Sequence, residues 1–424
     1  MRRIILSVLA LVIVLSVAGC GETAKGAEFV LSDKPRVTSP DVITSDLGDL
    51  VGGNSAFAFD LYQALREEEG NLFYSPHSIS LALAMTYAGA RGETERQMAD
   101  TLHLTLSQDQ LHNAFNGLDL ELAKRGEGAQ GKDGEGFRLN IVNAIWGQRD
   151  YKFLGEFLDV LAENYGAGLR LLDFINAPEE ARITINDWVS DQTEGRIEDL
   201  IPQGVIDALT RLVLTNAIYF NAAWLSPFDE DATGDGRFYL LDGSNVTVPM
   251  MRQTESFGYA EGEGYQAVEL LYDGSELSMV ILLPERGHFE EFEASLDADQ
   301  VDSILGDLGY KAVDVSLPKF EFESEFSLVD TLAAMGMPIA FSGAADFSGM
   351  TGSRDLYIAE ILHKAFVSVD EAGTEAAAAT AVVMKETAIE EPVEVTADRP
   401  FVFLIRDIET GAVLFLGRVA NPLA

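Results

Sequence analysis

The stretch that decides the fold is "VDEAGTEAAAATAVVMKETAIEEP", Val369 to Pro392. It lies between "LHKAFVSVDE" and "FVFLIRD", two segments that read as buried strands. Alanine is the best helix former, but this run is too short to hold a helix by itself. Thr380, Val382 and Val383 in its second half favour strand. The segment has no sustained apolar stripe and little to bury. A spacer or a nascent helix is its plain reading.

Outward from this stretch the chain reads as α+β. The later part is strand-rich: "RLVLTNAIYFNAAW", "YQAVELLYD", "LSMVILLPE", "AVDVSLPKFEFES" and "LHKAFVSVDE". "FVFLIRD" and "GAVLFLGRVANP", joined through "IETGA", read as a hairpin. The first third is helix-rich. Phe57, Leu61 and Leu65 fall at spacing four, with Asn54 or Ser55 as N-cap. "SPHSISLALAMTYAGARGETERQMADTL" reads as two helices, the second capped by Thr94, and "EEARITINDWVSDQTEGRIEDLI" as another ending near Gly195. "AKRGEGAQGKDGEG", Ala123 to Gly136, reads as a Gly-rich surface loop. No internal repeat or domain linker is visible.

The chain has 424 residues, with 29 Lys plus Arg against 69 Asp plus Glu, a net charge of −40. So acidic a surface repels nucleic acid and anionic lipid. A well-solvated surface accounts for it, with salt adaptation as the alternative. The one cysteine, Cys20, leaves no disulfide and no cysteine-based metal site or nucleophile within the fold. Arg2 and Arg3 precede an apolar run from Ile4 to Val17, which then ends in "VAGC". A basic start, a short apolar core and small residues before the processing point make a secretory signal. Small residues before a cysteine resemble the lipobox of bacterial lipoproteins, which implies cleavage before Cys20 and a lipid on its thiol. An ordinary signal peptide ending near a cysteine is the alternative. The polar stretch that follows, broken by Pro35 and Pro40, reads as a flexible tether. The chain thus divides into a signal at 1–19, a lipid-bearing tether at 20–50 and one folded unit at 51–424. The reading places it outside the cell, held to the envelope surface.

Catalytic motifs are missing from the sequence. None of His77, His103, His112, His288 and His363 forms an HExxH pair, and no GxSxG, P-loop or GxGxxG occurs. No metal ligand set or cofactor-binding feature stands out, and the basic patch needed for a heparin-like activator is absent.

Four blocks, in order, resemble the serpin family from about Ser55 to Pro422: "NLFYSPHSISLALAMTYAGARGET", "TNAIYFNAAW", "ILHKAFVSVDEAGTEAAAAT" and "ADRPFVFLIRDIETGAVLFLGRVANP". The resemblance implies the serpin fold: a large mixed, mostly antiparallel central sheet, surrounding helices and an exposed reactive-centre loop. It implies no enzyme but a suicide inhibitor of serine proteases, with papain-like cysteine proteases as a further class. The protease attacks the loop, and the cut loop enters the sheet as a new strand; serpin loop insertion is a standard example of strand addition. A non-inhibitory serpin-fold binding protein is the alternative. "FNAAW" departs from the family, which usually has a basic residue and glycine after the phenylalanine; only local strand-end packing is expected to change.

The residues of the loop suit such an entry. From Thr374 to Val383 there is no proline. Thr374, Ala376, Ala378, Thr380 and Val382 form one face, and Glu375, Ala377, Ala379, Ala381 and Val383 the other. All but Glu375 are small or β-branched, and Gly373 is a natural hinge. By resemblance the hinge is Glu371, Gly373, Thr374, Glu375, Ala376, Ala377, Ala378 and Ala379. The family's spacing from Glu371 puts the scissile bond at Thr387–Ala388, which suits elastase-like or subtilisin-like proteases. Lys385 would instead invite trypsin-like enzymes, and Met384 or Ile389 chymotrypsin-like ones. Ser75, Ser78, Asn216 and His363 fall where the family keeps a polar cluster beneath the parting sheet; satisfied core polar groups are the plainer reading. Trp224, Lys319 and Glu371 fall where the strand first enters, with a Lys319–Glu371 ion pair as the gate; core packing of Trp224 is the alternative. The expected state is a monomer.

Overall fold

A computed structural model describes residues 26–127, 129, 138–374 and 391–424. Two sheets carry the architecture. The first has seven strands in the order Glu28–Val30, Leu169–Leu172, Arg138–Gln148, Leu212–Ala223, Gly373–Thr374, Glu360–Val369, Phe320–Ser327. The second runs Val393–Thr396, Gly309–Pro318, Asn245–Gly262, Tyr265–Leu271, Leu277–Pro284, Phe401–Asp407, Val413–Val419, Leu72–Tyr74, with Gly234–Tyr239 added beside Asn245–Gly262. The expected hairpin pairs Phe401 with Val419 through Ile405 with Phe415.

The main core fills the space between the sheets, where Phe220 of the first meets Phe415 of the second at 5.4 Å. The helix Pro76–Tyr87 runs through this core with every residue buried, the polar His77, Ser78, Ser80 and Thr86 included, which is why its apolar residues form no single stripe. A second core lies on the outer face of the seven-stranded sheet. There the helix Pro178–Gln192 covers Val142, Ala144, Val213, Ala217 and Leu362.

Three local readings are corrected. The helix carrying Phe57, Leu61 and Leu65 starts at Thr44, so Asn54 and Ser55 are buried in its interior and cap nothing. Within this helix Gly53 passes so close to His103 that a Cβ would lie 2.5 Å from its carbonyl oxygen. The next helix, Gly92–Thr101, has Arg91 at its N-cap; Thr94 lies inside it and accepts the Asp346 N–H at 2.9 Å.

The third correction concerns residues 26–50, which are not a free tether. Glu28–Val30 pairs antiparallel with the edge strand Leu169–Leu172. Beyond it, Ser32 and Lys34 bind Asp159, Lys34 also binds Glu163, and Arg36 binds Asn116 and Asp119. The Val37 N–H donates to the Glu163 carbonyl, and the Asn116 side-chain amide donates to the Val37 carbonyl, which completes the attachment. Polar composition alone could not show that each cation has a carboxylate waiting.

Candidate functional site

Leu212–Ala223 and Glu360–Val369 lie side by side and parallel, from Val213 opposite Glu360 to Tyr219 opposite Phe366. Above that point Gly373–Thr374 lies between them. Gly373 pairs with Ala223, and Thr374 pairs with Ala222 on one side and Val369 on the other. A Cβ on residue 373 would lie 2.2 Å from the Ala222 carbonyl oxygen, so only glycine allows this approach. The alanines of "FNAAW" are therefore the partners of the stem itself, more than the local packing change expected of them.

The stem is held tightly. The Asp370 carboxylate accepts the N–H groups of Ala372 (2.8 Å) and Gly373 (3.3 Å), an Asx-type turn. The buried Thr374 hydroxyl bonds the Tyr272 hydroxyl at 2.8 Å. Tyr272 stacks on Trp224 with ring centres 4.7 Å apart. Trp224 donates from Nε1 to the Asp370 carbonyl (3.0 Å) and from its backbone N–H to Ala372 (2.9 Å). Lys319 Nζ donates to Glu371 at 2.6 Å, and Thr233 Oγ1 to the other carboxylate oxygen at 2.8 Å. Burial raises the Glu371 carboxyl, but these two bonds outweigh it and hold its pKa below the usual value. The structure thus brings Trp224, Lys319, Glu371, Gly373 and Thr374 together. Thr233 and Tyr272 join them without any signal in the sequence.

The polar cluster sits lower, on the inner face of the same strand pair. Ser75 caps the buried helix, accepting the Ser78 N–H at 3.1 Å and donating to the Leu414 carbonyl at 2.7 Å. Its own N–H donates to His363 Nε2 at 3.3 Å. Nε2 is therefore the acceptor, so Nδ1 carries the proton and donates it to Asn216 Oδ1. The Asn216 amide donates to Ser78 Oγ at 2.6 Å and to Asn143 Oδ1. Asn143 is a fifth member, missed because its strand Arg138–Gln148 was not read from the sequence. Glu375, Ala376, Ala377, Ala378, Ala379, Thr387, Ala388 and Cys20 lie outside the described residues.

Burial pushes the His363 imidazole down to about 3. The unfolded chain takes up this proton near pH 6.5, the folded protein only near 3. The stability from this site is thus complete above pH 6.5 and falls by roughly 1.4 kcal/mol per pH unit below it. We predict that an NMR titration finds the His363 ring neutral at pH 4.5. A midpoint near 6.5 would contradict this assignment.

The model of the family described as serpin (serine protease inhibitor) matches residues 52–422. The chain is a serpin. It is 41% identical over 385 residues to the leukocyte elastase inhibitor of Homo sapiens, covering 88% of this serpin and 99% of that protein. It is 44% identical over 376 residues to a serpin-like protein of Thermococcus kodakarensis, covering 88% and 86%. Among solved structures, the thermophilic serpin tengpin in its native state aligns with a TM-score of 0.82 at 28% identity, covering 93% of this serpin and 100% of that chain. Membership makes this α+β chain part of a protease-inhibitor family and not a catalyst.

Proposed function

We propose that this serpin inhibits serine proteases by a suicide reaction in which the cut loop enters the seven-stranded sheet. The protease serine attacks the carbonyl at the scissile bond, the peptide C–N bond breaks, and the amine leaves with a proton while an ester stays on the enzyme. The loop then enters between Leu212–Ala223 and Glu360–Val369, carrying the protease with it.

The observation that carries this reading is the register of the stem. Continued residue by residue from Thr374 opposite Ala222, it brings Thr380 opposite Asn216. Continued independently from Thr374 opposite Val369, it brings the same Thr380 opposite His363. Asn216 and His363 are partners across the resting strand pair, so a hydroxyl would arrive where their bond is lost. Ala376 and Ala378 would face the core between Phe220 and Val367 and between Ile218 and Ala365. Glu375 would face outward, between Asn221 and Ser368. A dozen entering residues span roughly 40 Å. At about 1 kcal/mol net per hydrogen bond, their pairing would release on the order of 10 kcal/mol.

In this reading the cut falls at Thr387–Ala388, the targets are elastase-like or subtilisin-like, and the protein is a monomer displayed at the envelope by a lipid on Cys20. Among the described residues no helix is long and apolar enough to cross a membrane. Incubation with pancreatic elastase and with subtilisin tests the function. An SDS-resistant complex and a released C-terminal fragment beginning at Ala388 are expected. Cleavage without a covalent complex would favour the non-inhibitory binding protein. For the anchor, Cys20→Ala is expected to move the protein from the membrane fraction to the soluble one; unchanged retention would sink the lipid.

A further inference from the structure

Arg170 lies in the edge strand Leu169–Leu172 and is held by aromatic rings instead of carboxylates. Its guanidinium is 4.4 Å from the Trp188 ring, 4.9 Å from Phe29 and 5.7 Å from Trp146. Its Nε is buried without a hydrogen bond, and it has no ion-pair partner among the described residues. In a chain with 69 acidic residues that isolation is unusual. Each ring face attracts the cation through its negative quadrupole.

The three rings come from three places. Phe29 belongs to the added N-terminal strand, outside the residues 52–422 matched to the family. Trp188 belongs to the outer helix Pro178–Gln192. Trp146 belongs to the sheet, and its Nε1–H donates to Thr215 Oγ1 at 2.9 Å. Thr215 lies on Leu212–Ala223, directly opposite Leu362 across the strand pair. Trp188 and Trp146 meet edge to face at 5.3 Å. A contact chain therefore runs from the N-terminal strand through Arg170 to the helix, and through Trp146 to the line where the strands meet.

A strand entering along that line would bring its outward side chains beneath this helix, which covers Val213, Ala217 and Leu362. The helix must yield for the strand to pass. We infer that Phe29 and Arg170 form a latch that holds the Pro178–Gln192 helix on the sheet and so sets how fast the cut loop enters. The inference rests on the insertion reading above. It gives the N-terminal strand a regulatory role: a partner that peels Glu28–Val30 from the sheet edge would speed insertion.

The test uses the full chain nicked in the loop by thermolysin, a metalloprotease that forms no acyl-enzyme and leaves the cut chain free, with insertion followed by tryptophan fluorescence and the end point by heat resistance. Phe29→Leu and Arg170→Met keep bulk but remove the ring or the cation. Each is expected to speed insertion at least threefold, the double variant to be no faster than either single one, and Phe29→Tyr to keep the original rate. Non-additivity of that kind is the mark of one shared contact chain. A change below threefold, multiplying effects in the double variant, or a shifted urea midpoint with an unchanged insertion rate would each overturn the latch. A nicked wild-type chain that never becomes heat-resistant would instead sink the insertion reading, and the latch with it.

Discussion

Thr374→Arg is expected to convert this serpin from an inhibitor into a substrate, with the largest loss of activity of any single change in the stem. Thr374 is 1% exposed, already paired with Ala222 and Val369, and bonded to the Tyr272 hydroxyl. An arginine there would place an unpaired cation among Phe220, Trp224 and Tyr272, at a cost of several kcal/mol. Two consequences follow. The resting stem is expelled from the sheet, and the cut loop meets the same penalty at its first inserted residue. A barrier raised by about 3 kcal/mol slows insertion roughly a hundredfold, long enough for the protease to hydrolyse its ester and leave. The stoichiometry of inhibition, measured against elastase or subtilisin, is expected to rise more than tenfold as covalent complex gives way to cleaved protein. Thr374→Ser should keep the hydroxyl and the inhibition. Retained inhibition in the arginine variant would contradict strand entry at this point.

Glu371→Lys is expected to open the upper end of the sheet and drive self-association on heating. The substitution removes the bonds from Lys319 and Thr233 and sets two ammonium groups side by side. Breaking a buried pair costs about 3–5 kcal/mol; because the Lys319 side chain is 37% exposed, a discount for solvent screening leaves about 2 kcal/mol. The Phe228 N–H to Glu371 carbonyl bond, at 2.8 Å, needs only backbone and should survive. Size-exclusion chromatography after incubation at 50 °C is expected to show polymer forming at least tenfold faster than in the wild type. The pair also has a pH signature. Its carboxyl pKa is held below the usual value, so its contribution is present above the unfolded value of about 4.5 and is lost as pH falls through the folded one. Polymerisation of the wild type should therefore accelerate more steeply as pH falls through this range than that of the variant, which keeps only the acid dependence contributed by His363. A variant that stays monomeric would remove the ion pair from the account.

The sequence shows the loop more clearly than the gate that receives it. The small-residue alternation from Thr374 to Val383 is legible because strand entry restricts both faces at once. Trp224, Lys319 and Glu371 meet from three distant places, and only the family resemblance suggested that they are neighbours. Thr233, Tyr272 and Asn143 left no trace: Thr233 closes a short turn, Asn143 lies in a strand the sequence did not reveal, and a tyrosine at the end of a strand-like segment has many ordinary uses. The N-terminal strand was hidden for a different reason. Residues 26–43 look solvated by composition, and what pins them is a set of specific pairings of Lys34 and Arg36 with Asp119, Asp159 and Glu163. Such pairings have no periodicity to read. The partial entry of Gly373–Thr374 in the resting state was equally invisible, because a two-residue strand falls below any pattern and depends on the small Ala222 and Ala223 opposite.

The central claim is that the cut loop becomes a strand between Leu212–Ala223 and Glu360–Val369 in the register begun by Gly373 and Thr374. The most direct test is a crystal structure of the protein after its loop has been cut. Thr380 is expected between Asn216 and His363, its hydroxyl within hydrogen-bond distance of one of them and the His363–Asn216 bond gone. A cut protein in which His363 still bonds Asn216 across an unparted strand pair would contradict it.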